Sequence, residues 1–599
     1  MALKTKIRTS PILHASQSHR TFVDIKGELF RFAFQMTEDL QVSLAQHVSI
    51  AVLKSYWSKI EQSNQACLKF PAPDMEPGIE LKPETSVLLE EYGKQLAAFP
   101  VEQAAYEVGQ LYTQFLPEGL RAKRGVFYTP PILARRLIEK AEKAGTDWSK
   151  ANIIDPACGG GAFLVPAALQ VIEALKHASP AMVSRNLKTR IEGWEIDPFA
   201  AWLSSFFIEV AAAPISAQTG KLVKPNIRSL DSLHCDHKEF DRFDLVIGNP
   251  PFGRVRLDLD LRTRYDRSLY GHANMYGIFT ELAVRLAKQG GVIAYLTPAS
   301  FLAGEYFKNL RSFLWKEAPP FSLDFVESRK GVFEGVLQET VLAIYRKGSR
   351  KVSAAVSAIH LERSVLDVSR AGTFKLPKQA TAPWIIARNA AGKKVVAGTA
   401  NLAERLEDWG YTVSTGPLVW NRHKPQLSNR NGKNTIPIIW AESVTPDGEF
   451  IFRSEKKNHE PFFKLEGDRD EWLKIDRECV LLQRTTAKEQ KRRLIAAPMP
   501  KDFIEIYGCV TVENHLNMIY PTRKNPAVSI EVLSAFLNSH AADQVFRCLS
   551  GSVAVSAYEI ESLPLPGKEQ LTKLKRLVSR KASKKAIETE CAALYGQDQ

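Results

Sequence analysis

Ala151-Asn152-Ile153-Ile154-Asp155-Pro156-Ala157-Cys158-Gly159-Gly160-Gly161-Ala162-Phe163-Leu164 reads as a short apolar strand, a glycine-rich turn and the opening of a helix. Glycines in such a turn let the backbone approach a ligand closely and adopt positive φ. The device serves dinucleotide and S-adenosylmethionine sites alike, and the string alone does not separate them. Outward from it, apolar runs at 190–195, 243–247 and 292–296 alternate with helical stretches such as 163–178 and 275–288. That alternation predicts an α/β fold: a mostly parallel sheet with helices on both faces. Two later runs, 321–326 and 340–345, are joined by the loop 327–339 and are expected to form an antiparallel hairpin at the sheet edge.

Carboxylates recur at successive strand ends. Glu195-Ile196-Asp197 ends the second run, where an acidic side chain accepts the hydroxyls of a ribose. Asp231-Ser232-Leu233 ends a further segment and is placed to receive an adenine amino group. The deciding string is Phe243-Asp244-Leu245-Val246-Ile247-Gly248-Asn249-Pro250-Pro251-Phe252-Gly253. Here a buried strand runs into two prolines, which stiffen the turn and fix its carbonyl directions. A dehydrogenase has no need of it. An exocyclic base amine is a poor nucleophile, because its lone pair is delocalised into the ring. The Asn249 side-chain oxygen and the Pro250 carbonyl can each accept one amine N–H, turning the lone pair toward a methyl donor. Phe252 supplies a face on which the base stacks in line with that methyl.

These motifs resemble the gamma-class adenine-N6 DNA methyltransferases of restriction-modification systems, the TaqI-like group. The resemblance covers residues 120–350 and continues more faintly through 480–566. It implies a class I S-adenosylmethionine-dependent methyltransferase fold, Rossmann-like, with a helical N-terminal region and a mixed α/β target-recognition domain. It implies S-adenosylmethionine as cofactor. Thr129, in Gly125-Val126-Phe127-Tyr128-Thr129-Pro130-Pro131, would contact its methionine part. Asp155, Ala157, Gly159 and Gly161 match the glycine loop. Glu195 and Ile196 match the ribose and adenine contacts, Asp231 the adenine amino contact, and Phe279 an aromatic packed on the adenine. Asn249, Pro250, Pro251 and Phe252 match the catalytic motif. Phe333, in a later loop, would face Phe252 across a flipped adenine.

Beyond the catalytic stretch, Val480-Leu481-Leu482-Gln483-Arg484-Thr485-Thr486-Ala487 reads as a strand followed by Lys488, Lys491, Arg492 and Arg493. Gln483 and Arg484 are candidates for base edges and the cations for phosphates. The expected organisation is a helical region at 1–115, the catalytic domain at 116–350, a connector at 351–400, the recognition domain at 401–566 and a basic helix at 567–599. At about 100–200 residues per domain, 599 residues suit such a multidomain chain.

Composition agrees with a polyanionic partner without naming it. The formal net charge is +14 and the pI about 9.2. Double-stranded DNA is the expected partner, with a separately encoded restriction endonuclease beside it and a monomeric state. No apolar run reaches the roughly 18 residues of a membrane span, and the basic N-terminus lacks a secretory core behind it. Seven scattered cysteines without a CxxC pair fit a reducing bacterial or archaeal cytoplasm, and no metal site is expected. Alternatives with the same chemistry are an RNA base, cytosine N4 or a protein glutamine as acceptor. A fused nuclease is a further alternative, for which residues 1–115 show no convincing signature.

Overall fold

The structure is a computed structural model that describes residues 5–7, 37–74, 81, 83–117, 119–120, 129–326, 339–362, 365–486, 490–549 and 554–597. It divides into two compact units. The first comprises residues 1–298, 312–336 and 340–368; the second comprises 299–311, 337–339 and 369–599.

In the first unit, helices α1 (Glu38–Ser63), α2 (Pro83–Leu96) and α3 (Val101–Phe115) precede the sheet. Then come α4 (Pro131–Lys143), α5 (Leu164–Ala174), α6 (Pro180–Arg190), α7 (Pro198–Ala211) and α8 (Met275–Leu286). The strands are β1 (Thr5–Ile7), β2 (Ile153–Asp155), β3 (Ile191–Glu195), β4 (Asn226–Ser229), β5 (Phe243–Gly248) and β6 (Ala287–Pro298). They continue with β7 (Pro320–Val326), β8 (Thr340–Arg346), β9 (Ser353–Glu362) and β10 (Val365–Lys375). The ten-stranded sheet runs β1-β10-β9-β7-β8-β6-β5-β2-β3-β4. Neighbours from β4 to β6 are parallel, as crossover helices require.

β5 is central, and only Asp244 among its residues escapes full burial, which explains its continuous apolar run. β8 lies antiparallel between β6 and β7. The expected hairpin therefore forms, but it is not at the edge, because β9 adds in parallel outside β7. β9 and β10 occupy 353–375, within the stretch expected to be a connector. Small residues disguise β9: Ala354, Val356 and Ala358 alternate inward, so the strand period is carried largely by alanine.

Helix boundaries follow local chemistry. α7 starts where Asp197 accepts the Phe199 N–H at 3.0 Å and Pro198 takes the first helical position. α4 is pinned to β7 by a buried charge cluster. Asp324 receives Arg136 at 2.9 Å and Lys140 at 2.8 Å, with both cationic side chains at most 10% exposed. No single helix among the described residues is long and apolar enough to cross a membrane.

The second unit holds a four-stranded antiparallel sheet of β11 (Tyr411–Thr415), β12 (Val480–Gln483), β13 (Ala496–Pro498) and β14 (Leu516–Pro521), in the order β11-β14-β12-β13. Helices α9 (Ile530–Leu537) and α10 (His540–Leu549) pack on it. Its buried Arg311 donates to the carbonyls of Phe301, Gly304, Thr381 and Ala382 and to the Tyr558 hydroxyl. The expected single basic helix at 567–599 is instead two helices, α11 (Thr572–Ser579) and α12 (Lys584–Leu594). Lys581 breaks it at φ 49°, and Ser583 caps the second helix through the Ala586 N–H.

Candidate active site

The chemistry collects at the carboxyl ends of β2, β3 and β5, the position where α/β sheets bind ligands. Asp155 closes β2 and is buried. One of its oxygens accepts the Ala157 N–H at 3.0 Å, while Oδ2 is buried with no hydrogen-bond partner among the described residues. Burial pushes its pKa up to about 8; the Ala157 N–H works against that shift and Glu195 adds to it. Gly248 leaves room for this carboxylate: a Cβ there would sit 2.6 Å from Asp155 Oδ1.

Glu195 ends β3. Its Oε2 accepts the Gly159 N–H and its Oε1 the Asp197 N–H, each at 2.9 Å. Burial raises its pKa, and these two N–H groups oppose the rise. The glycine loop is thus tied to β3 through a carboxylate whose oxygens keep further lone pairs for ligand hydroxyls. Gly159 has φ 50° and open space where a Cβ would lie. Gly161, at φ 90°, is needed for packing: its Cβ would come within 3.1 Å of the Ser204 hydroxyl. Ile196 is 61% exposed beside Glu195, an apolar surface at a strand end. Asp231 is exposed, accepts the Leu233 N–H at 3.0 Å and lies 3.0 Å from His234 Nδ1. The next residue, Ser232, donates to the Pro156 carbonyl, joining this segment to the glycine loop. Phe279 is buried in α8.

At the end of β5, the Asn249 amide nitrogen donates to Thr129 Oγ1 at 3.2 Å. That bond fixes the amide's orientation and directs its oxygen away from Thr129. Pro250 is buried, whereas Pro251 and Phe252 are partly exposed. Phe252 meets Tyr276 at 6.3 Å between ring centroids, with the two rings nearly perpendicular.

S-adenosylmethionine fits these residues. Its ribose hydroxyls and adenine amine suit the acceptors Glu195 and Asp231 gathered at these strand ends. The buried Asp155 Oδ2 is a ready acceptor, and the open glycine loop admits a nucleoside.

The second unit corrects part of the DNA-contact expectation. Arg493 is 1% exposed; its Nε donates to Thr486 Oγ1 at 3.1 Å and its backbone N–H to Asp543. It is a core cation, because burying the chain after β12 leaves its guanidinium inside. Gln483 donates to the carbonyls of Ala441 and Val444, which occupies the amide expected at a base edge. Arg492 bonds the carbonyls of Asn538 and Pro446. Arg484 is partly exposed with one bond to the Asn514 carbonyl, and Lys491 is exposed. Phe333, Lys488 and residues 125–128 lie outside the described residues.

Two features escaped the sequence reading. Gly248, at the end of β5, makes room for the Asp155 carboxylate. Tyr112, on α3, donates its buried hydroxyl to Asp197 Oδ2 at 2.9 Å across 85 residues of chain, a pairing without local signal.

Comparison with known proteins places this geometry. Residues 192–333, which hold Glu195, Asp231, Asn249–Phe252 and Phe279, match the family described as Eco57I restriction-modification methylase. The chain is 27% identical over 359 residues to the type II methyltransferase M.BsuBI of Bacillus subtilis, an alignment covering 57% of this chain and 68% of that protein. It is 28% identical to the type II methyltransferase M.PstI of Providencia stuartii, over 55% of this chain and 66% of that one. The chain thus spans about two thirds of the length of these relatives. The fold of the type IIL restriction-modification enzyme MmeI, solved in complex with DNA, superposes with a TM-score of 0.54 at 13% identity, covering 98% of this chain and 94% of MmeI. The match over residues 192–333 and the type II relatives make the chain an S-adenosylmethionine-dependent DNA methyltransferase of a restriction-modification system.

Proposed function

We propose that this enzyme methylates the N6 amine of an adenine flipped out of duplex DNA at a specific sequence, as the modification enzyme of a restriction-modification system. The observation that carries the reading is the Asn249 amide. It donates to Thr129 at 3.2 Å, which turns its oxygen away from Thr129, and the partly exposed Phe252 follows three residues on. When bound, S-adenosylmethionine supplies an electrophilic methyl on a positively charged sulfur. Glu195 accepts the ribose hydroxyls, Ile196 covers the adenine, Asp231 takes the adenine amino group and Thr129 meets the methionine end.

The flipped base costs a few kcal/mol or so to extrude. Phe252 repays part of this by stacking, and Phe333 would close the other face. Asn249 Oδ1 and the Pro250 carbonyl accept the two amine hydrogens and localise the lone pair on nitrogen. They are preorganised for charge that grows in the transition state. No strong base is required before attack, because the amine proton becomes acidic once nitrogen is alkylated. Arg484 and Lys491 are the cations best placed to meet DNA. The enzyme acts as a monomer in a bacterial or archaeal cytoplasm, beside a separately encoded nuclease.

Tritium transfer from labelled S-adenosylmethionine tests this. Duplex DNA is expected to become labelled, with the label in N6-methyladenine on nucleoside analysis. Label in N4-methylcytosine, in RNA or in protein alone would overturn the reading.

A further inference from the structure

The helices ahead of the catalytic domain carry no motif, yet α3 reaches the methyl-donor cleft. Glu102 and Tyr106 on α3 face Thr129 and Pro131, which lead into α4, and Gly160 and Ala162 of the glycine loop. Together they line one small recess. Glu102 is 12% exposed at its side chain, and Arg135 Nε holds its Oε1 at 3.1 Å, which fixes the carboxylate at the cleft. Thr129 shares this lining and also bonds Asn249, so the space adjoins the catalytic amide.

One turn and a half further along α3, Tyr112 is 1% exposed. Its hydroxyl donates to Asp197 Oδ2 at 2.9 Å, and its ring lies 4.7 Å from that of Phe199. Asp197 in turn donates its backbone N–H to Glu195 Oε1 at 2.9 Å. A buried hydrogen-bond relay therefore runs from α3 to the carboxylate at the end of β3.

The geometry points to α3 as a component of the methyl-donor site. Glu102 pairs with the ammonium of the bound methionine end, and Tyr112 positions Glu195 for the ribose through Asp197. The chemistry matches the place. A methionine end is zwitterionic, its ammonium needs an anion, and the cleft's other lining residues named above carry no charge. Tyr112 touches no ligand and acts as a positioning residue. This rests on the reading that the cleft takes S-adenosylmethionine.

Calorimetry on the full chain with two probes tests it. S-adenosylhomocysteine carries the amino-acid end; 5′-methylthioadenosine is the same nucleoside without it. Glu102→Gln is expected to weaken S-adenosylhomocysteine about tenfold or more, the scale of a lost charge-assisted hydrogen bond, while methylthioadenosine stays within about twofold. Tyr112→Phe is expected to weaken both probes alike and to raise KM for S-adenosylmethionine while kcat at saturation holds. The ratio of the two affinities does not depend on how much of a variant is folded. If Glu102→Gln changes both probes equally or neither, or Tyr112→Phe lowers kcat with KM unchanged, the proposal fails. A wild-type chain that binds neither probe would instead remove the methyl-donor reading itself.

Discussion

On the proposed reading the chemistry turns on Asn249, and its bond to Thr129 makes a sharp expectation. Asn249→Ala removes an acceptor used mainly in the transition state, so kcat should fall by about 10²–10³ while DNA affinity changes little. Single-turnover kinetics beside a DNA-binding titration would show the split, and equal losses in both would contradict the role. Asp155 gives a second expectation through pH. Folded, it keeps its proton to about pH 8; unfolded, it loses it near the ordinary carboxylate value of about 3.9. Between those values the folded chain binds more protons, so stability falls as pH rises through that window. Asp155→Asn should lack this loss. Without cofactor, its denaturation midpoint relative to wild type should improve from pH 5 to pH 8.5. Asn249, Asp155 and Glu195 were legible in the sequence because each is the polar residue that ends a buried apolar run. Gly248 and Tyr112 were not, because the need for each is created by a side chain brought from elsewhere: Asp155 for one, Asp197 for the other.

Among elements, β2, β3, β5 and β6 could be read from local apolar runs bounded by Gly, Pro or Asp, and their parallel order from the helices between them. β9 and β10 could not, since alternating alanines carry too little hydrophobic contrast to stand out from a linker. The stretch after β12 shows the same limit with charge. Lys491, Arg492 and Arg493 look equivalent in sequence, but the first is exposed and the last is buried against Phe546, 5.6 Å from its ring centroid. Arg493→Ala should therefore lower the unfolding temperature. It removes the Nε donor to Thr486 Oγ1 and the packing on Phe546, a loss of about 1–3 kcal/mol, while Asp543 keeps the backbone N–H. The salt slope of DNA binding should stay as it was. The cluster of Asp324 with Arg136 and Lys140 should behave likewise: Asp324→Ala leaves two cations buried and should cost about 3–5 kcal/mol in chemical denaturation. A variant as stable as wild type would show that α4 does not depend on that anchor.

For the whole molecule, the surplus of +14 now has a partner, because a methylase of DNA must meet phosphate. Affinity for duplex should fall steeply with salt, and Lys491→Ala should reduce the slope of log K against log salt by about one if it contacts a phosphate. An unchanged slope would take Lys491 out of the interface. The division of the chain bears on engineering. Residues 299–311 and 337–339 belong to the second unit although they lie within the first unit's stretch of sequence. A chimera that exchanges only the sequence after residue 368 for a relative's would leave Arg311 behind and take away Thr381, Ala382 and Tyr558, three of its hydrogen-bond partners. The second unit is thus not a cassette at the end of the chain. A transplant that respects the fold carries the 299–311 segment with it; recombination at one junction would leave Arg311 with only the Phe301 and Gly304 carbonyls of its own segment.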